Sequence, residues 1–242
     1  MALNTILSHP DQDSYVSIAE ANDYLAVKQN YSHWAGLSTV QKEGFLKQAA
    51  LQMDQLRYKG YKVYHTDKDY RREQNLAFPR VNIDRLYYGN VSSATSTTVS
   101  VLQLGGQQYL ADDVLNGGVA VIREGTGRGQ VRAITDWTSS TGTATVSGWD
   151  IQPDTTSQVL FISPIDKKIK NAQIEQAYFL SRYKDEDILN IISGVNSYKI
   201  GDLSETYGTD SVRFALVGGM PFSPLANQLL QGLIDTTGYM TY

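Results

Sequence analysis

The stretch GTGRGQ, Gly125 to Gln130, sets three glycines within five residues and makes phosphate binding the first chemistry to test. A dinucleotide-binding loop needs a third glycine at position 130, where Gln130 stands, and a Walker-type loop needs Lys then Ser or Thr after its last glycine. Both loops also lead into a helix whose N-terminal amides face the phosphate. Gly129 leads instead into QVRAITDW, an alternating strand, so the glycines are expected to supply the positive φ values of a hairpin between VAVIRE and QVRAITDW. His9, His33 and His65 lie far apart with no ligand spacing, and no metal site is expected from them. Asp185, Glu186 and Asp187 are consecutive, so their carboxylates diverge on either backbone geometry; a solvated helix start explains them. No Gly-x-Ser-x-Gly elbow occurs, and no nucleophile, base and orienting group can be nominated together. The expectation is therefore a protein with no catalytic residues, no cofactor and no metal, and not an enzyme.

One constellation points to nucleic acid. Tyr109, Trp137, Trp149 and Phe161 could form the stacking platforms of a small barrel of the OB type. Such grooves pair aromatic rings with cations, and residues 91–163 contain only Arg123, Arg128 and Arg132, outweighed by Asp112, Asp113, Glu124, Asp136, Asp150 and Asp154. The tryptophans are expected to fill the barrel or close its ends.

The elements that would position these groups follow from the pattern along 242 residues. That length permits one large domain or a medium domain carrying a small one. Ser17 and Glu20 form a capping box ahead of a helix expected over Ile18 to Lys28. Ser38 and Gln41 repeat the signature before a run in which Leu46, Ala49, Met53 and Leu56 share a face, with Gly60 as its end. The alphabet then changes. TTVSVLQL, GVAVIRE, QVRAITDW, TATVSGW and SQVLFIS read as short strands at the even spacing of an antiparallel barrel or sandwich. Helix grammar returns with Ser163 as cap and Pro164 at the first helical position, and again at Ser223 and Pro224. The fold class expected is α+β: a helical bundle, residues 1–90 and 164–242, interrupted by an antiparallel β-barrel or β-sandwich at 91–163.

Charge bounds the partners. The 21 Lys and Arg against 25 Asp and Glu give a net charge of −4, and the positive charge reads as dispersed, so nonspecific nucleic-acid binding is not favoured. There is no cysteine, which removes disulfides and thiolate metal sites. No stretch approaches the ~18 apolar residues of a membrane span and the N-terminus has no export pattern, so a soluble protein with no membrane partner is expected. Sixteen tyrosines against six phenylalanines point to protein–protein surfaces.

The helical flanks, taken in order, resemble the head-tail connector (adaptor) proteins of tailed bacteriophages, a group that includes head completion and DnaT-like proteins. The likeness rests on SYVSIAEANDYLA, Trp34, LKQAALQMDQLRYKGYK, NLAFPR, IKNAQIEQAYFL, KIGDLSETYG and NQLLQGLI, over roughly residues 14 to 83 and 164 to 235. The β segment departs from it. The resemblance implies a homo-oligomeric ring, usually a dodecamer of twelve copies, in the neck of the virion, assembled in the host cytoplasm. Its partners would be the portal protein above, a downstream neck or tail protein below, and genomic DNA passing through its channel without specific binding. The C-terminal Tyr239, Met240 and Tyr242 would then contact the portal or a neighbouring subunit. The competing expectation is a single-stranded DNA-binding accessory protein, separable from the first by a salt titration against an oligonucleotide.

Overall fold

The computed structural model describes residues 2–29, 31–63, 74–104, 110–182, 197–200, 203–206, 215–217 and 220–235. The chain is a mixed helix and strand protein whose residues cluster into two compact units. One takes Met1–Leu3, Val16–Arg57 and Lys167–Tyr242; the other takes Asn4–Tyr15 and Tyr58–Asp166.

The first unit holds the helices α1 (Ile18–Leu25), α2 (Tyr31–Ala35), α3 (Thr39–Asp54), α4 (Lys167–Arg182) and α5 (Pro224–Leu230). Both capping boxes form. The Glu20 amide donates to Ser17 Oγ and the Ser17 amide to Glu20 Oε2, and Ser38 and Gln41 do the same, each pair satisfying two amides that a helix start leaves open. Val16, Ala21, Leu25, Trp34, Leu46 and Ala49 pack with Ile174, Ala177, Tyr178 and Leu180 of α4. Trp34 is fully buried and its indole N–H donates to Asn22 Oδ1 at 2.9 Å. The α4 helix is buried on nearly every side, so its polar residues need internal partners. Gln173 donates to the Leu46 carbonyl, and Gln176 donates to Gln52 Oε1 and the Pro221 carbonyl while accepting from the Ser223 amide. Glu175 accepts from the Tyr24 hydroxyl and the Lys28 ammonium. Ser223 caps α5 with Pro224 at its first turn, as the sequence predicts.

The second unit is built on a closed antiparallel barrel. Its strands are β3 (Leu86–Ala94), β4 (Thr98–Val101), β5 (Val119–Glu124), β6 (Val131–Thr138), β7 (Thr143–Val146) and β8 (Gln158–Ile162). They run in the order β3, β4, β7, β6, β5, β8, with β8 pairing back onto β3. Five of the six are the strands read from the sequence, and closure makes the module a barrel, not a sandwich. The sixth begins at Leu86, ahead of the boundary expected at residue 91. Gly89 lies mid-strand, where a Cβ would sit 2.9 Å from Val101 Cγ1. A two-stranded ribbon, β1 (Tyr61–Lys62) with β2 (Arg80–Val81), belongs to the same unit. In the first unit, β9 (Ser197–Ile200) pairs with β10 (Leu203–Thr206), and β11 (Ala215–Val217) with β12 (Met220–Phe222).

Three helix boundaries differ from expectation. The first helix ends at Leu25 and the third at Asp54; Gly60 instead takes φ +67° at the turn into β1. The fourth starts at Lys167, because Ser163 exchanges hydrogen bonds with Arg85 and so continues the β3–β8 pairing.

Candidate nucleic-acid interface

The glycine loop is the β5–β6 hairpin. Gly125, Gly127 and Gly129 all have positive φ, and the chain leaves the loop as a strand. Gln130, the residue in the third-glycine place, holds the loop shut. Its amide nitrogen donates to the Gly127 and Ile151 carbonyls, and its oxygen accepts from the Asp150 and Ile151 amides. Thr126 donates to Asp154, whose carboxyl is held below its ordinary range chiefly by the Thr156 hydroxyl and then by that of Thr126. The loop's hydrogen-bonding capacity is turned on its own protein.

The aromatic platform of the sequence reading divides. Trp137 and Phe161 meet edge to face inside the barrel, centroids 5.4 Å apart, and Trp149 is buried with its N–H donating to the Thr98 carbonyl. These rings are core, as expected of the tryptophans. Tyr109, His65, the acidic run 185–187 and the contact residues Tyr239, Met240 and Tyr242 lie outside the described residues. His9 is in the second unit and His33, bonded to the Ser181 carbonyl, is in the first. Among the described residues no group of three or more His, Asp or Glu could hold a metal ion, and no helix is long and apolar enough to cross a membrane.

A different concentration carries the site. Residues 58–88 hold seven Lys and Arg, Lys59, Lys62, Lys68, Arg71, Arg72, Arg80 and Arg85, against four Asp and Glu, and six of the sixteen tyrosines. A stretch with one-eighth of the chain holds one-third of its cations, which corrects the reading of dispersed charge. The excess is local to 58–88, and the net charge of −4 over the whole chain conceals it.

The structure sorts these residues by role. Tyr58 is buried, stacked edge to face on Phe78 at 4.7 Å, and Tyr15 packs on the other side of Phe78 at 6.0 Å. Arg80 sits over Tyr58 and donates to the carbonyls of Tyr58, Lys59, Gly60 and Ala77. Its guanidinium shapes the 58–60 turn. Gly60 is required there, since a Cβ would fall 2.0 Å from the Val81 carbonyl oxygen. Lys62 donates to the carbonyls of Gln74 and Asn75. Lys59 and Tyr61 face solvent on this ribbon, with Tyr61 40% exposed. On the barrel, Tyr87 points into the core while Tyr88 points out.

Asp84 adds a pH-sensitive element. It accepts from the Arg80 amide at 2.6 Å, but burial, reinforced by the carboxylate of Asp166, pushes its carboxyl up to about 6 from 3.8. A carboxyl raised by folding stabilises the protonated native state, so stability falls as pH climbs from about 4 through 6. Asp84→Asn keeps the acceptor and removes the charge. Denaturant titrations should find it roughly 2 kcal/mol more stable than the parent at pH 7 and equal to it below about pH 4.

A closed antiparallel barrel, with a ribbon carrying Tyr61, Lys62 and Arg80 in the same unit, defines the class: a mixed α and β protein whose sequence concentrates its cations in one stretch. The family comparison agrees with that stretch. Residues 1–119 match the family model described as "Putative DnaT-like ssDNA binding protein". No curated protein and no solved structure matches. The match overturns the connector resemblance and with it the ring of twelve, the portal and tail partners, and DNA that passes without specific contact. It covers the first stretches on which that resemblance was built, SYVSIAEANDYLA to NLAFPR. The physical reason for the error is that capping boxes and amphipathic spacing specify helices, and many unrelated helical proteins share them.

Proposed function

We propose that this protein binds single-stranded DNA through the ribbon and the adjoining barrel face, and acts by binding, not by chemical conversion of the strand. The family match over residues 1–119 carries the reading, and the enrichment of cations and tyrosines within 58–88 supports it physically. Lysines neutralise phosphates and release counterions, while exposed rings stack on bases. The same reading takes the helices as one bundle interrupted by the barrel, which the clustering of 16–57 with 167–182 supports.

Fluorescence anisotropy of the whole chain with a labelled oligothymidylate tests this. Three or four neutralised phosphates predict a fall of about 10- to 50-fold in affinity between 50 and 200 mM salt, with a blunt duplex of equal length competing poorly. Absence of binding at 50 mM salt would sink the proposal.

A further inference from the structure

Outward-facing positions of three neighbouring barrel strands gather an aromatic ring, a guanidinium and two amides. Tyr88 and Asn90 of β3 lie opposite Leu160 and Gln158 of β8, and across β8 those two residues lie opposite Val121 and Glu124 of β5. The β5–β8 register shifts between Ile122 and Glu124, which makes Arg123 the extra residue of a bulge. Strict alternation after Ile122, which faces the core, would turn Glu124 inward; the bulge keeps it outside together with Arg123. The Arg123 guanidinium carbon lies 5.1 Å from the centre of the Tyr88 ring, and Tyr88 remains 36% exposed. The tight approach of Gly89 to Val101 fixes the backbone that carries this ring.

We infer that this face is a nucleobase-stacking subsite, in which a base of the DNA strand stacks on the Tyr88–Arg123 pair beside the amides of Asn90 and Gln158. The inference rests on the single-strand reading above and adds to it where a base, as distinct from a phosphate, is held. A π-face and a guanidinium plane complement a base, whereas Glu124 beside Gln158 repels the backbone at that end and directs the phosphates away from it. Paired bases in a duplex hide their faces, so the subsite selects unpaired DNA. Stacking releases no counterions, so its contribution persists when salt has weakened the ribbon's contacts.

The test uses the full chain, an oligothymidylate, and an abasic oligonucleotide of the same length. Tyr88→Leu and Arg123→Gln should each weaken oligothymidylate binding about tenfold, leave abasic binding within about twofold, and flatten the difference between the two ligands; Tyr88→Phe should retain that difference. If Tyr88→Leu fails to fold, photocrosslinking of the unmodified protein to an iodouracil oligonucleotide replaces it, with the adduct expected on Tyr88. Oligothymidylate bound equally by parent and Tyr88→Leu, or a crosslink elsewhere only, overturns the subsite and leaves DNA binding standing. A parent protein that binds neither oligonucleotide overturns both.

Discussion

Trp137→Ala is expected to destabilise the barrel unit by about 4 kcal/mol, the largest effect of any single substitution considered for this protein. Trp137 is 2% exposed and packs edge to face on Phe161 of β8, two strands away around the barrel. A closed barrel cannot collapse onto the space left behind, because each strand is held by hydrogen bonds on both flanks, so the void and the lost contacts add. A thermal scan should show the unit's midpoint fall by about 8 °C or more. Trp137→Phe isolates the cause. The indole N–H finds no acceptor among the described residues, so phenylalanine removes an orphaned donor as well as some volume. Its expected loss is nearer 1 kcal/mol; a loss as large as alanine's would mean the indole nitrogen is satisfied after all.

Arg80→Ala should follow, at roughly 3 kcal/mol, and should abolish oligonucleotide binding without Arg80 touching DNA. Its guanidinium bonds four carbonyls on two segments of chain, and removing it leaves the 58–60 turn without its only multidentate donor among the described residues. The ribbon is lost, and with it the surface proposed to bind DNA. Arg80→Lys discriminates this positioning role from a phosphate contact, because lysine keeps the charge but cannot span the carbonyls. If Arg80 serves the turn, the lysine variant binds nearly as poorly as alanine, and hydrogen exchange at Val63, whose amide donates to the Pro79 carbonyl, accelerates in both. Restoration of binding by lysine would place Arg80 on the DNA instead.

Local grammar was the legible part of this sequence. Two capping boxes, the Ser-Pro start of α5, the glycine hairpin and five of six barrel strands all depend on residues within a few positions of one another. What depends on distant pairing was not legible. Leu86 to Asn90 become a strand because β8, about seventy residues later, pairs with them, and Ser163 stays extended because Arg85 meets it. The candidate site fell between these cases. Its cations were present in the sequence, but Arg80 and Lys62 look alike as letters; only the tertiary hydrogen bonds show that both are occupied by carbonyls while Tyr61 and Tyr88 face outward.

Because the barrel is sealed by its last strand against its first, nascent chain emerging from a ribosome cannot complete it until residue 162 is free. α3 likewise waits for α4. The matched stretch ends at residue 119, within the barrel's sequence, so a fragment cut there keeps β3 and β4 without the partners that flank them. Such a fragment would present bare strand edges and associate with itself, so any dissection of this protein has to carry the chain through β8.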